Sequence, residues 1–227
     1  MGVSLHPPLS ARIHAELRGA ILSGRYAPGD ALASERQLSE RLGAGRHAVR
    51  EALKRLEEAG LVRISHGGAT RVRDWRHSAG LDLLLALGAD NDVPPELELA
   101  RATLEMRACV GADAARLCAQ RAGAVQRAQL RAAAEALAAE RELLARNAIY
   151  ERLWDLVIEG AANIAYRLAL NTLLAGQHIL VFDAELVADE LGDPQAIRAM
   201  TTAIAAGDAE RAGVLARALL QRSVPGG

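Results

Sequence analysis

The chain has 227 residues, of which 51% are hydrophobic, 24% charged and 3% aromatic, with a formal net charge of −1. This ordinary globular composition is enough for about two domains and excludes disorder, collagen-like repeats and coiled-coil rods. Abundant alanine and leucine with few aromatics favour helices over pleated sheet.

The stretch 1–8 lacks the basic-then-apolar pattern of a secretion signal, and His6 stands where a myristoylation signal needs Ser or Thr. The expected location is therefore the cytoplasm. The most apolar long stretch, 163–182, carries Arg167, Asn171, Gln177 and His178, so it reads as a bundle helix and no membrane partner is expected. Cys109 and Cys118 fall in one expected helix, roughly 13 Å apart, too far to bridge. They read as buried, inert thiols in a reducing compartment.

Charge is unevenly spread. Residues 1–76 hold 13 basic and 8 acidic side chains, a balance of +5, whereas 77–227 hold 14 and 20, a balance of −6. A basic module joined to an acidic one implies that the first meets a polyanion and the second does not.

In chain order, Ile13, Leu17, Ala20 and Ile21 recur at helical spacing over 10–22, with Ser10 as a plausible N-cap and Ser23-Gly24 as the stop. Tyr26-Ala27-Pro28-Gly29-Asp30 is turn chemistry. Ser34 then caps a second helix that buries Leu38 and Leu42, exposes Glu35 and Arg36, and ends at Gly43. A third helix over 46–59 buries Val49, Ala52, Leu53 and Leu56 and places Arg46, Arg50 and Lys54 one turn apart on another face. Strand-like runs over 61–65 and 70–73 flank the His66-Gly67-Gly68-Ala69 tip, a β-hairpin with its own arginines. A basic helix face alone would be a solvated surface. Together, cap, glycine turn, basic third helix and basic hairpin describe a winged helix-turn-helix.

Several blocks of this module resemble the GntR family of bacterial transcription regulators: 21–30, Ser34-Glu35-Arg36-Gln37-Leu38, Arg46-His47-Ala48-Val49-Arg50-Glu51-Ala52-Leu53, and 56–61. The resemblance implies that Arg36, Arg46, His47, Arg50, His66 and Gly67 contact DNA. Arginines in the first half of a helix suit guanine edges or phosphates in the major groove, and a glycine tip suits the minor groove. Gly45 departs from the pattern, since relatives often carry a hydroxyl residue there, so one phosphate contact of the family does not carry over while the fold does.

Asp74-Trp75-Arg76-His77 reads as the junction, with Trp75 as a residue packed between domains. Helices are expected over 79–88, 95–121, 125–146, 148–159, 162–181, 183–191, 194–206 and 208–222, punctuated by Pro94-Pro95, Gly123, Gly160, Gly192-Asp193-Pro194 and Gly207-Asp208. The fold is thus mainly α: a winged helix with a small hairpin wing over 1–76 and an all-helical bundle for effector binding and dimerisation over 77–227. The wing, the junction and the turn at 203–208 resemble the FadR-like branch of the family, which responds to fatty acids.

Many relatives hold a metal with one Asp and three His. The equivalent positions here fall on Glu151, Asp155, Ile197 and Leu219, so no metal and no other cofactor is expected. Arg107, among Leu104, Met106, Cys109 and Val110, is by the resemblance an effector-facing arginine suited to a carboxylate or phosphate; an ion pair within the domain is the equal alternative. Tyr166, Asn171 and His178 are candidate pocket-lining groups, or core residues bonded to backbone. The chain ends without the aromatic and polar residues that surround coenzyme A in that branch. The resulting reading is a homodimeric regulator on a short palindromic operator with a GT…AC core, released by an acyl-CoA or fatty acid or, as the alternative, by a small carboxylate. An enzyme acting on acyl thioesters is a remote alternative, because no nucleophilic or paired-carboxylate constellation stands out.

Overall fold

The computed structural model describes residues 8–65, 68–81, 83, 99–177 and 187–225, with backbone alone at 99–100 and 173–177. The chain divides into two compact units, Met1–Leu97 and Glu98–Gly227. This division falls later than the junction read from the sequence. Ser78 is tied to the first unit by its hydroxyl, which lies 2.8 Å from both the Gly60 and the Asp74 carbonyl oxygens and shares its one hydrogen between them.

Three helices build the first unit: α1 (Leu9–Leu22), α2 (Glu35–Leu42) and α3 (Arg46–Glu58). Helix α1 starts behind Pro8 with no side-chain cap, so Ser10 lies within its first turn rather than capping it. The Ser34 cap does form, as a capping box with Gln37, and Gly43 ends α2 at φ 59°. Ile13, Leu17, Leu38, Val49, Leu53 and Leu56 close one apolar core between the helices.

Strands β1 (Val62–Arg63) and β2 (Arg71–Val72) pair antiparallel with Val62 opposite Val72. A bridge between Ala31 and Arg71 adds a third edge to the wing, which sequence alternation did not reveal. One helical turn, α4 (Trp75–Ser78), follows, with the Arg76 guanidinium carbon 4.4 Å from the Trp75 ring centroid.

The second unit contains α5 (Leu99–Arg121), α6 (Ala124–Ala139), α7 (Leu143–Ala161), α8 (Ile164–Gln177), α9 (Ala188–Leu191), α10 (Pro194–Ala206), α11 (Ala209–Leu220) and a 3₁₀ turn, Gln221–Ser223. Helix α5 is the central element, packed by α7 and α11 most extensively. Its buried Ala108, Ala112 and Ala115 permit close approach, and at Gly111 a methyl group would stand 2.4 Å from Leu220 Cδ1.

The break expected near residue 147 lies instead at Glu140–Glu142. No glycine or proline marks it. Backbone N–H groups of Arg141 and Glu142 donate to the Glu140 carboxylate, and those of Leu144 and Ala145 donate to Glu142, which caps α7. Of the helix expected over 79–88, residues 82 and 84–88 lie outside the described residues, as do 183–186 of that expected over 183–191 and the end of the 162–181 helix.

Candidate functional site

Two clusters of charged side chains differ in their relation to solvent. In the first unit, α3 buries Val49, Ala52, Leu53 and Leu56, so the intervening Arg46, His47, Arg50 and Lys54 are exposed. Gly45 occupies the N-cap of α3 and offers no side chain to its free N–H groups.

Arg36 is exposed in the first turn of α2, 3.7 Å from Glu40. Arg50 Nε donates to Glu35 Oε2 at 2.6 Å, which ties the recognition helix to α2. With 66% and 38% of the two side chains exposed, this pair contributes little and gives way readily to a phosphate or a base edge. The wing adds exposed Arg63 and Arg73, whereas Arg71 Nη1 donates to the Gly29 carbonyl at 2.9 Å. His66 and Gly67 lie outside the described residues. The two guanidinium groups of Arg46 and Arg50, one turn apart on the exposed face of α3, have the reach and donor geometry to read guanine edges in a major groove.

The second cluster is buried. Arg107 on α5 is 7% exposed and Glu190 on α9 is 0% exposed. Arg107 Nη1 and Nη2 donate to Glu190 Oε1 and Oε2 at 2.6 and 2.8 Å, a bidentate fork. The Tyr150 hydroxyl from α7 donates to Oε2, and the Ser223 hydroxyl from the 3₁₀ turn donates to Oε1.

Burial opposes the charge on Arg107, but the hydrogen bonds and negative charge of Glu190 outweigh it and hold the guanidinium more firmly protonated than usual. Burial, then Glu190, raises the Tyr150 phenol well above its ordinary range. Ser223 is anchored by its neighbour Arg222, whose Nη2 lies 2.9 Å from Asp193, the cap of α10. Of the two readings of Arg107 left open by the sequence, the structure shows the ion pair, with Glu190 rather than nearby Glu105.

Tyr166 and Asn171 do not join this cluster. Tyr166 donates to Asp113 Oδ2 at 2.9 Å, and Arg116 Nε reaches the other Asp113 oxygen at 2.6 Å. Asn171 is exposed on α8, and His178 lies outside the described residues. Tyr150, Glu190 and Ser223 were missed by sequence reasoning, which had no local signal for any of them. Cys109 is exposed, a correction to its expected burial, because it lies off the face of α5 that carries Leu104, Ala108 and Ala112. Cys118 is buried, and burial pushes its thiol up to about 11.

At the positions equivalent to the relatives' metal ligands, Asp155 is bound by Arg167 at 2.7 Å, and Ile197 and Leu219 are core residues. Among the described residues no group of three or more His, Cys, Asp or Glu is placed to hold a metal, and no helix is long and apolar enough to cross a membrane.

A helix with an exposed basic face beside a hairpin wing, joined in one chain to a helical unit with a buried polar centre, is the build of a DNA-binding transcription regulator. Residues 9–72 match the bacterial regulatory proteins of the gntR family. The HTH-type transcriptional regulator Mce2R of Mycobacterium tuberculosis is 36% identical over 202 residues, 88% of this chain and 84% of that one. A fatty acid metabolism regulator protein of Vibrio cholerae is 41% identical over 75 residues, 32% of this chain and 27% of its own. A solved GntR family member from Pseudomonas syringae pv. tomato covers 96% of this chain and 85% of its own, at 21% identity and a TM-score of 0.49. The chain belongs to the GntR family; it is a transcription regulator and not an enzyme.

Proposed function

We propose that the chain is a cytoplasmic homodimer that binds a short palindromic operator with a GT…AC core through Arg36, Arg46, His47, Arg50 and the wing tip at His66 and Gly67, and lets it go when an effector enters the helical unit. In this reading residues 1–76 are the DNA-binding domain and 77–227 the effector and dimerisation domain. The observation that carries it is the α3 face, where Arg46, His47 and Arg50 are all exposed beside a hairpin with exposed arginines. Two such modules related by a two-fold axis match a palindrome. Effector binding shifts the balance between binding-competent and incompetent arrangements by its differential affinity for the two.

A fatty acid or acyl-CoA is the first effector class, supported by the resemblance of wing and junction and by the name of the Vibrio cholerae relative, whose 75-residue match is too short to span the helical unit. A small carboxylate is the second, favoured by the four hydroxyl and guanidinium donors that meet one carboxylate at Glu190. Neither class requires a metal or another cofactor.

The test selects a duplex from a random pool and follows its binding by fluorescence anisotropy. The result expected is a symmetric consensus and saturable release by palmitate, palmitoyl-CoA or L-malate. Equal affinity for the selected and a scrambled duplex at physiological salt would refute sequence-specific binding.

A further inference from the structure

We propose that Glu190 is an internal ligand: its carboxylate fills a carboxylate-binding site made by Arg107, Tyr150 and Ser223, and an effector carboxylate binds by taking its place. This inference rests on the reading of the helical unit as an effector domain and names the site and its competitor.

Three observations carry it. Both carboxylate oxygens of Glu190 are saturated by four donors from three separate elements, α5, α7 and the 3₁₀ turn. Such convergence is what a receptor for a carboxylate requires. A buried ion pair is not needed for stability, since well-packed apolar residues of equal volume generally serve as well. The resident carboxylate, moreover, is carried by α9, a helix of four residues.

The third observation is a surplus of donors. Among the described residues, Thr103 Oγ1 and Arg146 Nε are buried without a hydrogen-bond partner, while Trp154 Nε1 is engaged by the Tyr150 oxygen. Thr103, itself 3% exposed, precedes Arg107 by one turn of α5, while Arg146 precedes Tyr150 by one turn on α7. Arg146 Nη2 also donates to the Leu191 carbonyl, next to Glu190. Unmet buried donors are costly, and Glu190 brings only two acceptor oxygens. A ligand with a carboxylate and further oxygen acceptors meets donors that the internal carboxylate leaves idle.

An internal competitor weakens apparent affinity by the fraction of molecules in which it is displaced. The test therefore weakens the competitor and keeps the receptor. Glu190→Gln preserves volume and one acceptor but removes the charge. Glu190→Ala removes the competitor altogether and leaves Arg107, Tyr150 and Ser223 in place, and so reads the same effect if Glu190→Gln folds poorly.

Binding to the full chain is followed by the melting temperature and by Trp154 fluorescence, with L-malate as the oxygen-rich probe and dodecanoate as the long-tailed one. Either probe should bind Glu190→Gln at least about tenfold tighter than the unmodified chain, with a gain at least as large in Glu190→Ala, and the probe with the larger gain identifies the effector class. Unchanged or weaker binding of both probes in both variants overturns the internal-ligand proposal. Because no DNA enters this measurement, operator release by an effector is tested separately, and its failure would count against the regulatory reading alone.

Discussion

The two units use arginine in opposite ways. In the DNA-binding unit Arg36 and Arg50 are held in pairs with Glu40 and Glu35 that are open to water. In the helical unit Arg107 and Glu190 are withdrawn from water and every oxygen of the carboxylate is engaged. An exposed pair is nearly neutral in stability and free to exchange partners, whereas a buried pair locks each member to the other. The first arrangement suits a surface that must meet a polyanion; the second makes any change of partner depend on a ligand that replaces the lost bonds.

The largest expected effect tests the buried side of that contrast. Arg107→Met leaves the Glu190 carboxylate buried without its counter-charge and should cost about 3–5 kcal/mol in urea unfolding. The double variant Arg107→Met, Glu190→Met should recover most of that loss, because both charges are gone. Arg50→Met, by contrast, should leave the unfolding midpoint within about 0.5 kcal/mol of the parent. A costless Arg107→Met would erase the distinction between the units.

The contrast also explains what was legible in the sequence. Ser34 and Gln37, three residues apart, form a capping box whose pattern and geometry are the same thing at that distance. The exposed arginines of α3 follow from the helical repeat once Val49, Leu53 and Leu56 are assigned to the core. Glu190 lies 83 residues from Arg107, and no local rule links an acid in Ala188-Asp189-Glu190-Leu191 to that arginine. The turn at Glu140–Glu142 escaped for a related reason: both caps are glutamates, residues that favour helix interiors.

The DNA-binding unit contains exceptions to its own pattern, since Arg18 and His14 are both buried. His14 on α1 is 8% exposed, and burial, followed by the charges of Arg18 and Arg55, lowers its pKa from 6.5 to about 4. Below pH 6.5 the unfolded chain takes up a proton that the folded unit refuses until about pH 4. His14 therefore weakens stability as pH falls through that window, by up to about 3 kcal/mol. Urea midpoints measured from pH 7 to pH 4 should fall less steeply in His14→Leu than in the parent, and parallel curves would remove that exception.

On the exposed side, Arg46→Ala and Arg50→Ala should each weaken operator binding by about 1–3 kcal/mol and relax preference at one base pair if the residue reads a base. A loss equal on all sequences, with a shallower salt dependence, would make the residue a phosphate anchor. Either way the cost falls on binding and not on folding, which is the signature that separates α3 from the buried cluster.

The smallest effect concerns how the units end their helices. In the first unit the described left-handed positions are all glycines, Gly24, Gly29, Gly43 and Gly60. In the second, α7 ends with Ala162 at φ 47° and ψ 42°, exposed, donating to the Glu159 carbonyl at 3.1 Å. The left-handed conformation costs an L residue roughly 1–2 kcal/mol relative to glycine, and part of that is returned because glycine gains freedom in the unfolded chain. Ala162→Gly should therefore stabilise the helical unit by about 0.5–1 kcal/mol, seen as a higher urea midpoint with an unchanged slope. Ala162→Val should do the opposite, since a β-branched side chain tolerates that conformation least. If glycine brings no gain, the turn into α8 is held by Asn163, whose Oδ1 accepts from the Ala165 N–H at 3.1 Å, strongly enough to make the residue before it indifferent.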